Sequence, residues 1–348
     1  MRRYVALMGA SVLMSIASPA IAQDETCAPA PEPVITLGFG SRYTDDSKSR
    51  SEIDKESNDA VNAALGPIDD FLRDLTRIAN NVTRGDDDQI AQADCVVAQM
   101  ATWADADAFS DLETITANFS IGSRLAAFAL AYRQVAPFAA DTKARQSIED
   151  WLGRRTDEQM TFWEEDATSG AKTGNLRAWS TLGINLVGQI RNDPVALRWS
   201  AWSATFLQCQ ALEDGSLPQE MRRGKYALHY QLHAVAPLVV TTLLLEQQGL
   251  SIKGVCDNAL DRIVAFTLAD LETGEASAAY SGETQTLFDG TEELQSFQMA
   301  WLEAYLALSP NAELDAYADT FRPLGNSKLG GDQALLWAND GFGAGSDG

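Results

Sequence analysis

The chain has 348 residues, 45% of them apolar and 22% charged, with 49 Asp and Glu against 26 Lys and Arg. This composition excludes intrinsic disorder, and a net charge of −23 argues against a nucleic-acid partner, whose phosphates need a basic surface. Any polyanion handled here must meet a local cluster of cations inside an acidic shell.

Arg2 and Arg3 precede an apolar run over residues 4–16, which leads into Ser18-Pro19-Ala20-Ile21-Ala22 with small residues at the −3 and −1 positions. That is the pattern of a secretory signal peptide cut after Ala22. Its removal leaves residues 23–348 as one expected domain and takes the net charge from −23 to −25. No later stretch is apolar for long enough to span a bilayer, so a periplasmic or secreted monomer with no membrane span is expected. The four cysteines, Cys27, Cys95, Cys209 and Cys256, fit two disulfides in an oxidising compartment. Of three possible pairings we favour Cys27–Cys95, which would staple the Pro-rich arm over residues 28–33, and Cys209–Cys256, which joins neighbours in sequence. Buried free thiols are the alternative.

After the arm, apolar residues recur at helical spacing and no run of alternating β-branched residues intervenes, so the fold class is all-α. The spacing predicts helices over 51–65, 67–80, 87–106, 119–136, 144–163, 175–190, 194–212, 222–248, 254–270, 294–307 and 313–321. Breaks are expected at Pro67, Asp193-Pro194, Asp214-Gly215 and Ser309-Pro310. Helices in hairpin succession, with no internal repeat, fit an α/α toroid whose inner ring surrounds a groove. A helical-repeat solenoid would show a fixed period. Residues 272–290 carry no helical pattern and read as a surface loop.

Both histidines lie in the segment 214–233. If the chain is helical from Arg222 at about 100° per residue, then Arg222, Tyr226, His229, Tyr230 and His233 share one arc of the helix. Such a face is costly to bury without partners and is expected to line a wet groove, although any one of these rings could be a core residue with its polar tip satisfied. The two imidazoles four residues apart lack the Glu of a zinc-protease helix and a third ligand, so no metal is expected. Arg42-Tyr43 and Lys48, just before the first helix, are further candidates to supply cations to the groove, against a default of a solvated charged turn. Trp179, Trp199, Trp202 and Trp301 are candidates for sugar stacking, against a default of core packing.

Cys27-Ala-Pro-Ala-Pro-Glu-Pro, Ser41-Arg-Tyr, Trp103-Ala-Asp-Ala-Asp-Ala, and Gly174-Asn175 followed by Trp179 come first in a series of longer motifs. Asp214-Gly-Ser-Leu-Pro-Gln-Glu-Met-Arg-Arg, Ala227-Leu-His-Tyr230, Trp301-Leu-Glu and Lys328-Leu-Gly-Gly-Asp332 complete it. In these motifs and their order the chain resembles the secreted alginate (poly-mannuronate) lyases of the α/α-toroid type, over nearly all of residues 23–348. The resemblance implies cleavage of an acidic, uronate-containing polysaccharide by β-elimination, without a metal or organic cofactor. In that reaction the carboxylate beside C5 is neutralised, a base removes the C5 proton and an acid protonates the O4 leaving group.

The same resemblance places the family's catalytic His on Leu176, its groove Arg on Tyr226, its catalytic Tyr on His233 and an N-terminal Lys on Arg42. The expectation is therefore a rearranged site. Tyr226, His229, Tyr230 and His233 are the proton-transfer candidates, and Arg42, Asn175, Trp179, Arg222, Arg223 and Lys328 bind substrate. The alternative is a non-catalytic periplasmic polysaccharide-binding or export-associated protein of the same fold.

Overall fold

The structure is a computed structural model that describes residues 27–86 and 88–337; the signal-peptide residues 1–22 lie outside the described residues. In chain order its helices are α1 (Lys55–Arg84), α2 (Gln89–Asp105), α3 (Ile115–Val135), α4 (Thr142–Glu165), α5 (Asn175–Arg191), α6 (Pro194–Gln208) and α7 (Pro218–Met221). They continue with α8 (Ala227–Gln247), α9 (Val255–Asp270), α10 (Glu275–Ser281), α11 (Trp301–Leu308), α12 (Ala312–Ala318) and α13 (Gln333–Trp337). Short polar residues set several of the starts. Asp54, Thr114, Asp141 and Asp193 each accept a backbone N–H in the first turn of the helix that follows, at about 1 kcal/mol per cap.

The helices alternate between two layers. α1, α3, α5, α8 and α11 pack side by side as an inner ring, while α2, α4, α6, α9 and α12 lie outside, each against an inner neighbour. The inner helices are accordingly apolar on most sides, as the long buried runs of α3 and α8 show. The stretch Gly224–Gln247 is long and apolar enough to cross a membrane, but most of it is buried inside the protein, where α5, α9 and α11 cover it. Between α11 and α1 lies α13, which packs against both.

Two predicted boundaries are corrected. Pro67 does not end a helix, and α1 runs through it for 30 residues. Val61, Leu65, Ile68, Phe71, Leu72 and Leu75 form one buried stripe across it. An interior proline costs about 3 kcal/mol, and burying two or three such side chains, at roughly 1.5–3 kcal/mol each, offsets that. Residues 272–290 are not only loop, since they contain α10.

The arm is fixed as the sequence suggested. Cys27 is bonded to Cys95 on α2, Gln99 donates to the Ala28 carbonyl at 2.6 Å and Trp103 to that of Pro31 at 3.0 Å. Thr36–Leu37 (β1) then pairs in parallel with Asp111–Leu112 (β2), which delivers the following residues, Ser41 to Tyr43, to the mouth of the ring. The second disulfide, Cys209–Cys256, ties the end of α6 to the start of α9.

Candidate active site

The first turns of the inner helices converge on one groove of about 550 Å³. α3 contributes Ile115, Phe119 and Arg124, α5 contributes Asn175, Leu176 and Trp179, and α8 contributes His229, Tyr230 and His233. The arm adds Arg42 and Tyr43, and a C-terminal turn adds Lys328. The positive ends of three helix dipoles point the same way. A second depression of about 760 Å³ shares Trp179, His233 and Lys328 with this groove, so the two meet at His233.

Charge in the groove opposes that of the chain. Arg42, Arg50, Arg124, Arg223 and Lys328 line it, and no carboxylate does among the described lining residues. Arg124 is held by Asp69 at 2.7 Å and by the Ser120 carbonyl at 2.8 Å. Burial, with Arg124 and Arg42 nearby, pushes the Lys328 ammonium down to about 8, although Asp69 pulls it upward.

The start of α8 is built by its neighbours. Gln285 accepts the Leu228 N–H at 2.9 Å, and Gln231 accepts that of Leu217 at 3.0 Å. Gly224 sits at φ +54°, where a Cβ would strike Glu283 and Ser51. The regular helix therefore begins only at Ala227. Arg222 and Tyr226 precede it and do not keep the phase extrapolated from sequence: Arg222 is exposed beside Lys48 in a separate depression, and Tyr226 is not among the groove-lining residues. Burial first, then Glu292, raises the Tyr226 phenol.

Inside the groove two polar pairs face one another. Tyr43 and Tyr230 share a hydrogen bond through their hydroxyls, and the Arg223 guanidinium lies 3.7 Å from the centre of the Tyr230 ring. Burial and the proximity of Tyr230 push the Tyr43 phenol far above its ordinary value, so Tyr43 keeps its proton; either hydroxyl can donate in this pair. The ring of His233 lies 6.3 Å from that of Tyr230. Its Nδ1 is 3.1 Å from Asn175 Oδ1 and 2.9 Å from Trp179 Nε1. Burial first, then His229 and Lys328, hold this imidazole well below its usual value, so it is neutral at pH 7. His229 is drawn aside by Glu292, 3.1 Å from its Nδ1.

Asn175 is 2% exposed, and its amide reaches Glu220 through Nδ2–H and His233 through Oδ1. Leu176, in the place where the resemblance expects histidine, packs against the buried cluster of Phe162, Trp163 and Ala167. Trp199 and Trp202 lie on the outer helix α6 around Arg177, and Trp301 is core. Tyr43 as a hydroxyl partner, Arg124 and Glu220 were not singled out from the sequence. Arg124 stands inside the apolar run of α3 and Glu220 inside the 214–223 motif, and only their tertiary contacts reveal them.

The described helices form an α/α ring around a cationic groove in which phenols and imidazoles meet. Residues 123–277 match the family model for alginate lyase. The chain is 27% identical over 322 residues to an alginate lyase of Pseudomonas syringae pv. tomato, covering 90% of this chain and 83% of that protein. It is 28% identical over 318 residues to a polysaccharide lyase of Stenotrophomonas maltophilia, covering 88% and 90%. The fold is that of alginate lyase A1-III. A histidine-to-alanine variant of that protein, complexed with a tetrasaccharide, aligns with a TM-score of 0.75 and 21% identity over 90% of this chain and 86% of that one. The Sphingomonas species A1 structure aligns at 0.71 with 20% identity, over 89% and 85%. The chain is thus similar to alginate and polysaccharide lyases over about nine-tenths of its length, and residues 123–277 carry the match to the alginate lyase family model.

Proposed function

We propose that this protein cleaves an acidic, uronate-containing polysaccharide, of the polymannuronate or glucuronan kind, by β-elimination in the groove between α3, α5 and α8. The observation that carries this reading is the reversal of charge: among the described residues five cations and no carboxylate line the groove of a chain with a net charge of −23. The same feature disfavours a glycoside hydrolase, which needs two opposed carboxylates. Arg42, Arg124 and Lys328 neutralise the uronate carboxylate, and the C5 proton becomes acidic. Neutral His233 takes that proton on Nε2, since Nδ1 is occupied by Asn175. The electron pair forms the C4–C5 double bond, the C4–O4 bond breaks, and Tyr230 gives its proton to O4. The phenolate left on Tyr230 is stabilised by the Tyr43 hydroxyl and by Arg223. Trp179 stands beside the sugar path with its N–H turned to His233.

The test is ultraviolet absorbance of the unsaturated uronate on polymannuronate, polyguluronate, glucuronan, hyaluronan and pectate. A rise is expected on polymannuronate or glucuronan and names the uronate. Silence on all five, with saturable binding to one, would replace the lyase by a binding protein. Leu176, where histidine is expected, is the observation that favours that second reading.

The reading also rests on export. The two disulfides fit an oxidising compartment, and N-terminal sequencing of the protein recovered from the producing cell should start at Gln23.

A further inference from the structure

Glu220, on the short α7, is fully buried, and both of its oxygens are used on one residue. Oε1 accepts the backbone N–H of Asn175 at 2.7 Å, and Oε2 accepts Asn175 Nδ2–H at 2.8 Å. The contact stands in for a missing side-chain cap: Gly174, at the N-cap of α5, makes no side-chain cap bond. A Cβ on Gly174 would come within 2.9 Å of Glu220 Oε1. A carboxylate at a helix N-terminus is also favoured by the helix dipole. None of this requires the asparagine side chain. The second hydrogen bond does something more.

With Nδ2 turned to Glu220, Asn175 can offer His233 only Oδ1, an acceptor. An acceptor 3.1 Å from Nδ1 requires a proton on Nδ1. Trp179 Nε1–H, which reaches both Nδ1 at 2.9 Å and the His233 carbonyl at 3.1 Å, must then donate to the carbonyl. With Nδ1 protonated, Nε2 is left with a lone pair. We infer that Glu220 is a positioning residue that acts through Asn175 to fix His233 in its Nδ1–H tautomer, with Nε2 free to take a proton. This rests on the reading of His233 as the base, but the tautomer can be measured whether or not any polymer is cleaved.

Glu220→Gln makes the claim sharp. Its carbonyl can still accept the Asn175 backbone N–H, but its amide then faces the Asn175 side chain as a donor. The asparagine must turn round, Nδ2–H points at His233 Nδ1, and the imidazole proton moves to Nε2. The number of hydrogen bonds is conserved, so the fold has little reason to change, while the base is blocked.

Nitrogen-15 correlation spectra of the untagged protein resolve the question, because the chain has only 2 histidines and a His229→Gln variant assigns them. The wild-type His233 is expected as Nδ1–H and Glu220→Gln as Nε2–H, with kcat on the digested polymer down on the order of 10²-fold and KM little changed. Trp179→Phe, which removes the competing donor, should leave the Nδ1–H tautomer in place. A wild-type His233 protonated on Nε2 overturns the inference, as does a tautomer unaltered in Glu220→Gln. If Glu220→Gln does not fold, the wild-type and Trp179→Phe spectra decide alone: a tautomer that changes in Trp179→Phe assigns control to Trp179 instead.

Discussion

Two aromatic clusters built from similar residues do opposite work in this molecule. Phe71, Trp103, Phe109, Phe128 and Trp151 pack ring on ring between α1, α2, α3 and α4, with neighbouring centroids 4.9 to 6.1 Å apart. Trp103 and Trp151 each spend their N–H on a backbone carbonyl. Nothing polar in it is left for a ligand. Tyr230 and His233 have their rings 6.3 Å apart, but the polar tips meet Tyr43 and Asn175, with Arg223 over the Tyr230 ring. Ring chemistry alone does not distinguish core from site. What distinguishes them is whether the polar atoms are satisfied by the backbone or by other polar side chains.

The largest effects should separate the clusters cleanly. Tyr230→Phe and His233→Ala are each expected to lower kcat/KM by about 10²–10⁴-fold with an unchanged far-ultraviolet spectrum. Trp103→Ala should instead cost about 3–5 kcal/mol of stability, seen in denaturant melts, with turnover per folded molecule preserved. Wild-type turnover in both groove variants would erase the distinction. Next in size, Cys27→Ser should destabilise by about 2–4 kcal/mol without altering kcat, because the arm's contact with α2 lies outside the groove.

A smaller effect concerns Lys328. Its ammonium titrates near 8, pushed down by burial, Arg124, Arg42 and Arg73 and held up by Asp69. The charged form binds the polyanion and is present below that pH, so KM should rise as pH passes through about 8. Lys328→Arg, which stays charged, should flatten the rise; an identical profile in both proteins would remove Lys328 from the substrate path. Smallest of all, Tyr226→Phe should change turnover less than about twofold, a shift worth under roughly 0.5 kcal/mol, since its ring lies outside the groove lining.

Much of the fold was legible because helix periodicity, caps and hairpin breaks agreed with one another, and the disulfide pairing followed from the arm. Pro67 misled because a local breaker was read without the buried stripe that continues beyond it. In the site, the face of α8 carrying His229, Tyr230 and His233 was legible for the same periodic reason. Arg222 and Tyr226 were placed on it by extending 100° per residue through Gly224, where the backbone turns left-handed and the phase is lost. Asn175 was found, but its links to Glu220 and His233 were not. Those links could not be read from sequence, because Glu220 and His233 are 45 and 58 residues away.

The most direct test of elimination at the Tyr230–His233 centre is a proton nuclear magnetic resonance count of chain ends in a digest of the susceptible polymer. One unsaturated C4–C5 end should appear for every new reducing end with the wild-type protein, and neither with Tyr230→Phe. New reducing ends without unsaturated partners, or an equal yield from the variant, would contradict the account.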